Sequence, residues 1–153
     1  MQYGLVDVCK TMLDNADMSL DLSGYPSIIF NFVVYGSVDD KFWEVIFQCD
    51  EVISLKIEND NDLLRSDSHL VLDVNVIGKL IENISKDLLE KISEPLPAEV
   101  WLINICGDIQ IELNCCKFNW KLNELTKQIK IPNKNQNLRL RLGRGKPRPF
   151  GGR

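Results

Sequence analysis

The sequence predicts an α+β domain: a mostly antiparallel sheet of about six strands, with an N-terminal helix and one central helix packed on it. Three observations lead there. Period-2 alternation recurs in short runs through the middle and the second half of the chain. Helical three-and-four spacing is confined to the N-terminus and to one central segment. The strands therefore do not alternate one by one with helices, which argues against a doubly wound nucleotide-binding sheet.

Leu5, Val8, Cys9, Met12 and Leu13 fall on one face of a helix over residues 3–17, with Asp7, Lys10, Thr11 and Asp14 opposite. Ser23, Gly24 and Pro26 punctuate the chain before a β-branched and aromatic run at 27–35, the first strand. After a turn at 36–41, Trp43, Val45 and Phe47 share one face of a strand over 42–49. Ile53, Leu55 and Ile57 repeat the alternation, a third strand of an antiparallel meander. A polar loop at 58–68 leads to a fourth strand at 70–76, in which Leu70, Leu72, Val74 and Val76 alternate with Val71, Asp73 and Asn75.

The period then changes. Ile77, Leu80, Ile81, Ile84, Leu88, Leu89 and Ile92 keep helical spacing, and Glu82 with Lys86 and Asp87 with Lys91 stand at i,i+4 on the exposed side. Pro95 and Pro97 end this helix. Two apolar runs at 100–106 and 109–115, joined at Gly107-Asp108, read as a hairpin. Phe118, Trp120 and Leu122 extend its second strand or begin another, Leu122, Leu125 and Ile129 suit a short closing helix, and Pro132 ends the domain. Trp43, Trp101 and Trp120, all in strand-like contexts, are expected in the core.

At 153 residues the chain suffices for one domain, and a chain of this size buries roughly 68–70% of its unfolded surface without disulfide or metal. The five cysteines, Cys9, Cys49, Cys106, Cys115 and Cys116, are an odd number without C-x-x-C spacing, so they read as thiols, mostly packed as small hydrophobes. Asp7, Asp14 and Asp17 interrupt any signal-like apolar run, and no stretch is long enough to span a membrane, so a cytoplasmic location is expected.

Charge divides the chain. Lys134, Arg139, Arg141, Arg144, Lys146, Arg148 and Arg153 are seven of its 18 basic residues, leaving 11 against all 22 acidic ones. Residues 1–133, an acidic domain, thus carry −11, and residues 134–153, a basic tail, carry +7. Arg139, Arg141, Arg144, Lys146 and Arg148 have the density that attracts nucleic-acid phosphates. The tail could equally fold onto the acidic body, or be a fusion remnant, since its Leu/Arg and Gly/Pro composition departs from that of the body.

Motifs that would commit the chain to a reaction are missing. The acidic run from Glu58 to Asp62 fails as an EF-hand because its sixth and twelfth places hold Leu63 and His69. Around Gly143-Arg144-Gly145-Lys146, a phosphate-binding loop would need glycine at Leu140 and Ser or Thr at Pro147. His69 could serve as a general base, but no nucleophile stands in a recognisable motif with it. No cofactor or metal is expected. An enzyme would require His69 or a cysteine to meet carboxylates in a pocket.

An acidic domain without catalytic motifs suits a binder of basic protein, because complementary charge speeds encounter and rejects wrong partners. The Phe-Trp-Glu-Val-Ile-Phe strand at 42–47, the Glu-Val-Trp-Leu-Ile-Asn-Ile run at 99–105 and the Phe-Asn-Trp-Lys-Leu end at 118–122 give the chain a further likeness. Over approximately residues 25–122 it resembles the small bacterial immunity proteins that neutralise polymorphic or contact-dependent growth-inhibition toxins. The resemblance implies stoichiometric binding of a cognate toxin, often a basic nuclease, with occlusion of its active site; it assigns no individual residue. On that reading Asp39, Asp40, Glu58, Asp60 and Asp62 would mimic phosphates toward the toxin's lysines and arginines. The competing class is a nucleic-acid-associated protein that uses the basic tail, with the acidic body as a protein-interaction module.

Overall fold

Six antiparallel strands close into a barrel in the order β1-β2-β3-β6-β5-β4. The computed structural model describes residues 3–58 and 68–126. Its strands are β1 (Ala16–Asp21), β2 (Ile28–Val33), β3 (Phe42–Glu58), β4 (His69–Leu80), β5 (Glu99–Gly107) and β6 (Gln110–Leu125), with helices α1 (Leu5–Thr11) and α2 (Lys86–Leu89). The α+β class and the six-stranded antiparallel sheet are those expected from the sequence; closure of that sheet is new.

Alternation along β3 buries Trp43, Val45, Phe47 and Cys49 and turns Glu44, Ile46 and Gln48 outward. Phe30, Phe32 and Phe47 form the centre of the barrel. Phe47 meets Phe32 and Phe118 edge to face, at ring-centre distances of 4.9 and 5.1 Å, a geometry that matches the ring quadrupoles. Trp43 is buried and donates Nε1–H to the Val38 carbonyl at 3.0 Å, while Trp101 and Trp120 are half-buried against the core.

Several elements differ in extent from the sequence reading, each for a tertiary reason. The N-terminal helix stops at Thr11, because Asn15 takes a left-handed backbone (φ 70°) and Ala16, Met18 and Leu20 then point into the barrel as β1. The two runs at 42–49 and 53–57 are one strand. Glu51 with φ 54° and a register shift between Val52 and Ser54 mark a β-bulge, which changes the phase of alternation without ending the pairing with β6. A second shift, between Val71 and Asp73 in β4, buries Val71 and exposes Leu72, the reverse of the expected faces.

The central helix is short as well. Residues 77–80 remain strand because they pair with Leu102 back to Glu99, so ladder hydrogen bonds override the helical apolar spacing. A 3₁₀ turn (Ile81–Asn83) precedes α2, whose N-cap Ser85 accepts from the Leu88 N–H at 3.3 Å. Of the expected stripe, Ile81, Ile84, Leu89 and Ile92 pack on Ile53, Val100 and Cys116, outside the barrel, whereas Ile77 and Leu80 are exposed. Leu122 and Leu125 belong to β6 and not to a closing helix, whose remaining member, Ile129, lies outside the described residues. The β5–β6 hairpin forms as expected, and Gly107 is required there because a Cβ would run into the Leu70 carbonyl. Among the described residues no helix is long and apolar enough to cross a membrane.

Candidate functional site: a ladder of polar rows on the outer face

Three of the residues expected to contact a partner are described, and they stand apart. Asp39 and Asp40 are exposed at the tip of the β2–β3 hairpin, closed by paired hydrogen bonds between Val38 and Lys41 at 2.8 and 3.1 Å. Their φ angles of 54° and 61° are those of a type I′ turn, in which aspartate is tolerated. These two residues thus have a structural occupation. Glu58 ends β3, the 17-residue strand that leaves this turn, at its far end, up to about 50 Å along an extended backbone. Asp60 and Asp62 lie outside the described residues, as do Arg139, Arg141, Arg144, Lys146 and Arg148.

Glu58 instead joins a site the sequence reading did not assemble. Cross-strand register sets the outward side chains of four neighbouring strands in rows. Glu58, Gln110, Cys106 and Asp73 form one row across β3, β6, β5 and β4. Lys56, Glu112, Asn104 and Asn75 form the next, and Ser54, Asn114, Leu102 and Ile77 a third. With strands spaced about 4.8 Å and rows about 7 Å apart, the face spans roughly 14 Å in each direction.

Two adjoining cavities track these rows. The first, about 280 Å³, lies over the two polar rows; the second, about 350 Å³, runs from Glu112 and Asn114 past Leu102 and Val100 to Ile84 and Leu88 beneath the α2 segment. Glu112 lines both. Together they form a groove that is polar and net acidic at one end, while the other end mixes Leu102, Val100, Ile84 and Leu88 with Lys79, Asn83 and Ser85.

Its charges are only partly paired. Lys56 Nζ stands 3.9 Å from Glu58, an exposed pair worth little. Asp73 and Glu112 form no ion pair among the described residues. Asn114 donates to the Ser54 hydroxyl at 2.8 Å and braces the third row. The signal for Asp73 and Asn75 was present in the alternation of β4; what the sequence lacked was the register that brings them beside Glu112 and Glu58.

Of the groups that could carry covalent chemistry, His69, Cys9, Cys49, Cys115 and Cys116 stand outside the two polar rows, whereas Cys106, a half-buried free thiol, stands in the first row beside Asp73 and Gln110. His69 is buried at the start of β4, in register with Met18 of β1. Cys49 and Cys115 are neighbours in the core, and their mutual hydrogen bond and then burial raise the Cys115 thiol far above its ordinary range. Burial, with Asp73 nearby, pushes Cys9 to about 11, and burial, with Glu51 nearby, raises Cys116. A thiol so shifted is protonated at neutral pH and a poor nucleophile. Among the described residues no three His, Cys, Asp or Glu side chains are grouped to hold a metal ion. Comparison of the chain with protein-family models found no match, and neither did comparison with curated protein sequences.

Proposed function

We propose that the chain is a non-catalytic binding protein that neutralises a cognate basic protein, a toxin of the nuclease kind, by lodging against it and occluding its active site, as immunity proteins do. The observation that carries this reading is the outer groove, where Glu58, Asp73 and Glu112 outnumber Lys56 and where Asp73 and Glu112 form no ion pair among the described residues, on a body of net charge −11. Such a surface attracts lysine and arginine and repels phosphate. The cytoplasm, where a producing cell would need protection, is the compartment this reading assigns.

The test is direct. The full chain is mixed with the basic toxin encoded beside it, and association is followed by calorimetry as salt rises. A stoichiometric complex that weakens with ionic strength is expected; lack of association at low salt would sink the proposal. The charge of +7 on residues 134–153 favours a second reading, a nucleic-acid contact through the tail. Deleting that segment should then abolish RNA or DNA affinity and leave protein binding intact.

A further inference from the structure

The groove is graded along the strand direction. Its first two rows carry Glu58, Asp73 and Glu112 against the single cation Lys56, with Gln110, Asn104 and Asn75 offering amide groups between them. The third row brings Leu102, half-buried, and Ile77, 45% exposed, and the Val100, Ile84 and Leu88 crevice lies beyond it. On the β5 and β4 side the face thus turns from polar to apolar across one inter-row step, while Ser54 and Asn114 keep the β3 and β6 side of the third row polar.

We propose that this groove receives an extended segment of the basic partner in which a lysine or arginine is followed, two residues on, by an apolar side chain. The inference rests on the preceding reading of the chain as a binder of basic protein and adds where the partner lies and what it must present. The spacing comes from matching repeats. Neighbouring rows are two residues apart along each strand, about 7 Å, and so are same-face side chains of an extended peptide laid parallel to the strands. A cation above Asn104, one strand from Glu112, therefore places the next same-face side chain over Leu102, between Asn114 and Ile77. Glu112, at the junction of the two cavities, accepts the charge-assisted hydrogen bonds. The apolar end supplies the buried contact that distinguishes a protein interface from a merely electrostatic encounter.

The probe is a fluorescein-labelled peptide of repeated Arg-Gly-Leu, compared with one in which every leucine is serine, both titrated with the full chain at low salt by fluorescence anisotropy. The leucine peptide should bind at least about fivefold tighter. Glu112→Gln should weaken both peptides about tenfold. Leu102→Ser and, at the more exposed position, Ile77→Ser should each remove the leucine preference while sparing the serine peptide; a thermal melt of every variant confirms folding, and Ile77→Ser decides if Leu102→Ser does not fold. Equal affinity for the two peptides, or affinity untouched by Glu112→Gln, overturns the groove assignment and leaves a basic-partner binder acting through another face. If neither peptide binds, the groove assignment fails, and the salt titration with the whole toxin decides the reading beneath it.

Discussion

The two faces of β6 do opposite work within one residue step. Leu113 is fully buried among the core side chains, whereas Glu112 is exposed at the junction of the outer cavities. The same holds on β5, where Ile103 and Ile105 are sealed inside while Leu102 and Asn104 face the groove. A barrel wall of this kind separates stability from recognition by parity alone. One face can vary with the partner while the other maintains the fold, and substitutions at adjacent residues should have unrelated consequences.

The comparison breaks most visibly at the core. Phe47→Ala should cost about 3–5 kcal/mol, because it removes the ring between Phe32 and Phe118 and leaves a cavity; urea unfolding measures it. Leu113→Ala should cost about 2–5 kcal/mol on the same grounds, with affinity of the remaining folded fraction unaltered. A stability loss below about 1 kcal/mol for both would mean that the inner face is not the close-packed one.

Smaller effects should appear at the hairpin and in the thiols. Replacing Asp39 or Asp40 by valine forces a β-branched residue into a left-handed backbone, at about 1–2 kcal/mol each, whereas glycine should be tolerated. Partner affinity should survive the glycine changes if the groove and not this tip is the contact; its loss would return the hairpin to the interface. Alkaline pH probes Cys9, whose thiol rises from 9.0 in the unfolded chain to about 11 in the fold. Below about pH 9 both states hold the proton and there is no penalty. Between about 9 and 11 the unfolded chain ionises first, so stability should fall with pH over that window, and Cys9→Ala should flatten the decline.

At the bottom of the scale stands Glu112→Gln, expected within about ±0.5 kcal/mol of the parent in stability because the side chain is exposed and without an ion pair among the described residues. A large loss would show that Glu112 serves the fold, and the division between the two faces would no longer hold on β6.

Much of the strand content was legible in local pattern. Trp43, Val45 and Phe47 declared their inward face, Gly107-Asp108 marked a hairpin, and Ile81, Ile84, Leu89 and Ile92 declared a buried stripe. What misled was local too. Leu5 to Leu13 is helical in spacing, but the helix ends early because Ala16 to Leu20 pairs with both β2 and β4. Ile77 and Leu80 continued a helical period while β5 held them in a ladder. The bulges at Ile53 and Leu72 carry no turn residue to announce them, yet each shifts the facing of the residues beyond it.

The acidic body, the basic tail, the α+β class and most inward-facing positions were determined by sequence alone, since charge is additive and alternation repeats every two residues. Tertiary structure decided that the sheet closes and that Glu58, Glu112 and Asp73 line one groove, while Asp39 and Asp40 sit at a remote turn. The reason is range: away from the two bulges, which face a side chain takes is settled by its neighbours in the chain, whereas which strand lies beside it is settled by pairing between segments far apart in sequence.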